Sequence, residues 1–385
     1  LLVPFEASSF TGVFQGQAPP IFEPGQSIEF SAYFIIGDGD VGSVMDVAYE
    51  LREIPTAGVT GEVFDELTGE PLVDTAVLIY DQNNRPVNHF FTDQTGRFKG
   101  QLPSGSYSAR VERDPLLSSP VPFAVRGEQG EHLRLSAPTA GFVSVQVQDS
   151  AGRRLPAKIT AVTSTVEKRT NPAPDGYLFE MGVFDPAAGQ RWRVEDLIPD
   201  TSDPKTRRYI EGTAVTENGK ATLALPPNQD FTLIVSRGIE YDIVELPVRV
   251  APGETLNLSA RLTQVVDTSG YISADFHLHA APSPDSDLDL PSRVRSVVAE
   301  GVELLVATDH NFVTDYGPTL DELGLRDFAS SMVGLEMTTL ESGHFNGFPL
   351  KRNPGKITGG AFEWSQRPPS ELFESIRALG AVEPE

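Results

Sequence analysis

Four of the six histidines, His277, His279, His310 and His344, share one stretch of chain with Glu336. His277 and His279 are two residues apart. On a strand, residues i and i+2 point to the same side, so both imidazoles can reach one metal ion. His310 closes Ala307-Thr308-Asp309-His310-Asn311, Glu336 follows Gly334-Leu335, and His344 lies in Ser342-Gly343-His344-Phe345-Asn346. Each stands at or just after a predicted strand end, where parallel α/β folds collect their active sites. Nitrogen and carboxylate donors without thiolates suit an open site for zinc, manganese or iron better than a closed structural zinc site. His89 and His132 fall among short strands far from this stretch and are assigned no chemistry.

These residues need strands to carry them and helices to pack behind. Tyr271-Ile272-Ser273-Ala274-Asp275-Phe276 reads as a strand leading into an acidic loop. From Pro291 to Glu300, Val294, Val297 and Val298 recur at helical spacing, with Pro291 suited to the first turn and Gly301 to the C-terminal cap. A buried-looking strand follows at Val302-Glu303-Leu304-Leu305-Val306-Ala307. Strand, helix, strand at this spacing is a βαβ unit, which implies a parallel sheet or barrel. Another strand at Met332-Val333-Gly334-Leu335 and a helix from Pro369 to Leu379 continue the alternation.

Before residue 267 the grammar differs. Short alternating runs such as Ile28 to Phe34, Val59 to Phe64 and Thr75 to Tyr80 are separated by Gly, Asn and Pro turns. That pattern predicts antiparallel sandwiches. A proline- and arginine-rich stretch at about 165–208 reads as a long loop of the second one. At 385 residues the chain exceeds one ordinary core. The organisation expected is a β-rich end of a preceding domain at 1–56, a sandwich at 57–136, a second at 137–266, and an α/β unit at 267–385.

Composition excludes several classes. Acidic residues outnumber basic ones 54 to 30, and a net charge of −24 repels nucleic acid and anionic membranes. With 0 cysteines there are no disulfides, thiolate zinc sites or cysteine nucleophiles. No apolar run is long enough to span a membrane. The start, Leu1-Leu2-Val3-Pro4-Phe5, has neither an initiator Met nor the regions of a signal peptide, so the chain reads as a piece of a longer protein.

Two resemblances sharpen the reading. Gly61-Glu62-Val63, Gly69-Glu70-Pro71-Leu72, Thr92 to Phe98 and Leu102 to Tyr107 resemble the carboxypeptidase regulatory-like (transthyretin-like) β-sandwich. Such modules are accessory domains, often outside the cytoplasm. Asp275-Phe276-His277-Leu278-His279, Thr308-Asp309-His310-Asn311, Gly334-Leu335-Glu336 and Gly343-His344-Phe345-Asn346 resemble the opening half of a PHP (polymerase and histidinol phosphatase) metallohydrolase. The resemblance implies a distorted, TIM-like (β/α)₇ barrel, incomplete here, holding two or three divalent ions (Zn, Mn or Fe). By it, His277 and His279 hold one metal, Glu336 bridges to a second that His344 helps bind, and His310 joins a third position with Asp285. Asp287 is the fallback for Asp285. Asp309 and His310 are the catalytic candidates, Asp309 orienting neighbouring groups rather than binding metal.

The leading expectation is therefore a metal-dependent hydrolase acting on a small-molecule ester, amide, carbamate or phosphoester through a metal-bound hydroxide. Thr338, Thr339 and Gly343 to Pro349 tilt it towards a carbamate or ester. The family's later motifs are absent before the chain stops at Glu385, so a continuation or second fragment is expected to complete the site. Without it, weak metal binding and no turnover are expected. Two rivals stand beside this reading. One is a non-enzymatic extracytoplasmic surface or binding protein with β-sandwich modules and a degenerate barrel. The other is an amidohydrolase-type barrel. A periplasmic or secreted location is expected by analogy with the accessory domain.

Overall fold

The computed structural model describes residues 2–6, 9–12, 33–113, 116–163, 210–339 and 342–380. The expected 165–208 loop lies outside the described residues, as does the expected strand from Ile28 up to Tyr33. Tyr33 and Phe34 themselves are not in a strand. Within 1–56, expected to be β-rich, Val41–Leu51 is an α-helix. Asp40 caps it by accepting the Ser43 amide at 2.8 Å, a side-chain oxygen taking up a helical donor that has no partner inside the helix. Asp46 of this helix accepts the Gln101 amide at 3.0 Å, which ties it to the following sandwich.

That sandwich packs two sheets. Thr56–Asp65 pairs antiparallel with Arg97–Pro103 and parallel with Glu131–Ala137. Opposite lie Ala76–Asp81, Pro86–Phe91 and Gly105–Arg113, with Leu116–Leu117 and Val121–Val125 both paired to the last of these. Every second residue of Thr56–Asp65 is buried, the period a half-covered strand requires. Val59, Val63, Val77, Ile79, Phe90, Leu102, Val111 and Leu135 fill the space between the sheets.

Asp65 ends the first strand and is 5% exposed. Burial alone would raise its pKa. The Thr68 amide, the Arg113 guanidinium, the Thr139 hydroxyl and the Leu67 amide outweigh that and lower it to about 2. Because the folded pKa lies below the unfolded one, the associated stability is present above the unfolded value near pH 4 and is lost as pH falls towards 2. Asp65→Asn is expected to cost about 2 kcal/mol at pH 7, a difference that shrinks below about pH 4. Paired urea titrations at pH 7 and pH 3 check this; an undiminished difference at pH 3 refutes it.

The second sandwich repeats the plan. Gly141–Gln148 lies between Lys220–Leu225 and Thr255–Arg261, antiparallel to the former and parallel to the latter. The facing sheet runs Ile210–Thr216, Ala157–Thr163, Phe231–Ser236, Val244–Val248. Val143, Val145, Leu155, Ile159, Leu225, Phe231 and Leu233 are its core.

The last unit opens with β1 (Ala274–Leu278), α1 (Leu290–Ala299), β2 (Leu304–Ala307), α2 (Gly317–Glu322) and β3 (Ser330–Met332). These make the expected βαβ crossover, with the strands parallel in the order β1-β2-β3. Asp289 caps α1 by accepting the Ser292 amide, and Pro291 occupies its first turn. Val294, Val297 and Val298 bury one face of α1 beneath Leu278 and Ala280.

The expected α/β barrel is not formed by the described residues. After β3 the chain makes β4 (Leu335–Thr339) and β5 (Gly343–Gly347), an antiparallel hairpin in its own two-stranded sheet. A hairpin reverses direction, so it does not extend a parallel barrel, which needs a crossover before each new strand. One bridge, His310 to Glu336, joins the hairpin to the end of β2. Helix α3 (Pro369–Gly380) covers it, with Ile376 and Leu379 packed among Leu335, Met337 and Leu350.

Candidate metal centre

The site forms where the end of β1, the loop after β2 and the hairpin meet. The β1 end carries His277 and directs His279 inward beside it, their rings 4.9 Å apart. The His310 ring is 4.6 Å from that of His279 and 5.1 Å from that of His344. Glu336, from β4, sits beneath the four imidazoles and is 2% exposed. Its Oε2 is 2.9 Å from His277 Nε2, 2.8 Å from His279 Nε2 and 3.5 Å from His310 Nδ1. Its Oε1 is 2.7 Å from His344 Nδ1.

Asp285 completes the set from the acidic loop. Its carboxylate is 3.0 Å from His279 Nδ1 and 3.2 Å from His310 Nε2. Asp287, the fallback, is exposed and joins no group of converging ligands among the described residues. The six side chains thus make three overlapping triads: His277, His279 and Glu336; His279, Asp285 and His310; His310, Glu336 and His344. Within each, the ligand atoms lie within 4.8 Å of one another.

The electrostatics favour two anions here. Burial opposes ionisation of Glu336, but the hydrogen bond from His277, the field of His310 and the hydrogen bond from His344 hold its pKa below the ordinary range. Asp285 is likewise lowered, to about 2: desolvation opposes this, while the Ser283 hydroxyl and His279 hold the charge. One detail tests whether the donor set fits a cation. His279 Nε2 is buried and makes no hydrogen bond among the described residues, although Glu336 Oε2 is only 2.8 Å away. A nitrogen that meets a carboxylate oxygen without hydrogen-bond geometry keeps its lone pair free, and with three more imidazoles around the same carboxylate the donor set is one that fits a divalent cation.

Several supports were not legible as site residues. Ser283 donates to Asp285 at 2.6 Å and accepts the His310 amide at 3.1 Å. Thr338 hydrogen-bonds His310 Nδ1, fixing that ring. Arg293 of α1 donates to the His279 carbonyl at 2.6 Å. The only sequence signal for Ser283 was its place two residues before Asp285. Asp309 is fully buried, accepts the Ala280 amide at 2.6 Å, and has its pKa raised by desolvation. It braces the backbone just after His279 from below, and His310 is one of the clustered ligands.

Comparison with known proteins bears on the rest of the chain. A family model for the carboxypeptidase regulatory-like domain matches residues 58–136. No curated protein matches. Among solved structures, the chain is similar to the Bacillus anthracis TIE protein, at 15% identity and a TM-score of 0.22, over 54% of this chain and 34% of that one. It is similar to a streptococcal ancillary pilin at 10% identity and a TM-score of 0.27, over 55% of this chain and 63% of that one. It is also similar to the shaft pilin SpaA from Lactobacillus rhamnosus GG, at 10% identity and a TM-score of 0.29, over 55% of this chain and 98% of that one. The chain thus spans about a third of the first and under two thirds of the second.

The hydrolase expectation is corrected by these findings. The matched family is the accessory sandwich, and no PHP or other metallohydrolase family is found. The described residues close no α/β barrel. Asp309 and His310 accordingly carry no catalytic assignment.

Proposed function

We propose that the chain is a non-enzymatic, extracytoplasmic surface protein whose β-sandwich modules present a cluster that binds two or three divalent cations. The observation that carries the cation reading is the convergence of four imidazoles and Asp285 around buried Glu336. His277 and His344 are more than half exposed, so the cluster opens to solvent and an ion can enter without rearrangement of the core. Imidazole and carboxylate donors suit zinc or manganese. The regulatory-like sandwich supports the surface reading. Such a protein presents a bound ion to a partner or uses it to stiffen its last unit.

Metal analysis tests this directly. The purified chain, incubated with Zn²⁺ or Mn²⁺ and freed of unbound ion by gel filtration, is expected to retain two or three ions by elemental mass spectrometry. Retention below one ion per chain overturns the cation reading. Protease shaving of intact cells expressing the protein tests its location: complete protection in intact cells refutes surface display.

A further inference from the structure

The second sandwich touches the α/β unit through an unusual joint. Arg237 follows the strand Phe231–Ser236 and is 6% exposed. Its Nη1 donates to the Pro156 carbonyl of its own sandwich at 2.8 Å. The same nitrogen donates at 3.0 Å to the Val298 carbonyl, in the last turn of α1. Its guanidinium lies 5.2 Å from the Phe328 ring centroid, and Phe328 packs against the cores of both units.

A helix C-terminus gathers carbonyls without intrahelical partners and carries partial negative charge, which a cation offsets. Helix α1 has no basic residue in its own last turn. The sandwich supplies one. Desolvation lowers the Arg237 pKa and its Nε has no partner among the described residues, so its two carbonyl hydrogen bonds and the packing around it hold this cation in place. At the joint's margin, Lys158 pairs with Glu300, and Arg295 meets Glu217 at 2.7 Å.

The path from this joint to the cluster is short. Arg237 holds one end of α1, Arg293 of α1 holds the His279 carbonyl, and Val294, Val297 and Val298 pack beneath Leu278 and Ala280. We infer that Arg237 is a positioning residue: the second sandwich, through Arg237 and α1, sets His279 and the loop carrying Asp285 in their ligating places. The second sandwich and the α/β unit then open together, not as independent domains.

The metal part rests on the cation reading above; the joint does not. Hydrogen exchange and Zn²⁺ titration of the full chain separate them. In Arg237→Met, peptides covering 277–299 are expected to exchange at least about tenfold faster, and Zn²⁺ affinity to fall about tenfold. Arg237→Lys keeps the charge without the guanidinium and falls between. Lys158→Ala, at the exposed margin, changes either measure less than about twofold. Unchanged exchange in 277–299 for Arg237→Met overturns the inference. So does faster exchange confined to the sandwich strand 231–236. If the parent chain binds no Zn²⁺, the cation reading fails while the exchange result still decides the joint.

Discussion

Glu336→Ala is expected to reduce metal uptake from two or three ions per chain to one. Glu336 belongs to two of the three triads, and its two oxygens face His277, His279 and His310 on one side and His344 on the other. Removing it leaves His277 and His344 with no carboxylate partner among the described residues. The triad of His279, Asp285 and His310 keeps all its members. Asp285→Ala is expected to do the reverse, removing that position and leaving the two built on Glu336. In a parent chain that fills all three positions, the pair therefore gives different residual counts by elemental mass spectrometry, one ion for Glu336→Ala and two for Asp285→Ala. Equal losses in the two variants would mean one shared site, and no loss in either would remove the cluster as the binding place. Adding a chelator to the parent chain is expected to leave the sandwiches folded, because their cores contain none of the six ligands.

The second large effect lies at Gly238. Its φ is +59°, and a Cβ there would sit 2.0 Å from the Glu300 carbonyl oxygen. That oxygen is backbone at the end of α1, so it cannot swing aside as a side-chain tip could. Gly238→Ala is expected to destabilise the chain by at least about 3 kcal/mol, combining left-handed strain with a backbone overlap. Gly301 faces it with φ +82°, but nothing lies closer than 3.8 Å to its Cβ position. Gly301→Ala thus bears only the conformational term, about 1 kcal/mol. Thermal unfolding should separate them, with Gly238→Ala lower by roughly 4 °C or more relative to Gly301→Ala. Equal midpoints would refute the tight contact.

How much of this was legible depended on whether the signal was local. Alternation in Thr56–Asp65 and the Thr-Gly and Asn turns specify strands within a few residues, so the sandwiches were readable. Helix α1 was readable because Asp289, Pro291 and the valines at 294, 297 and 298 all agree. His277 and His279 were readable through the period of a strand. The barrel was not. Met332 and Leu335 read as one strand, whereas the chain breaks between β3 and β4 and turns into a hairpin. Nothing in the residues between Met332 and Leu335 marks the break there or the antiparallel pairing of the strand that follows. Helix Val41–Leu51 was missed because Gly37-Asp38-Gly39-Asp40 reads as a turn, while Asp40 is also its cap. Arg237 and Ser283 were invisible for another reason: their partners are set by packing between elements, which no spacing along the chain records.

The two sandwiches share a topological detail with a mechanical meaning. In each, the strand that opens the sandwich and the strand that closes it are parallel neighbours, paired over seven residues: 59–65 with 131–137, and 142–148 with 255–261. Parallel neighbours place the entry of the first strand and the exit of the last at opposite ends of the pair. Tension drawn through both ends therefore loads all seven rungs together, in shear, instead of opening them one after another like a zipper. Resistance to pulling is then governed by the unfolding barrier rather than by the equilibrium stability. With only Pro138, Thr139 and Ala140 between the last strand of one sandwich and the first of the next, each module hands its load directly to its neighbour.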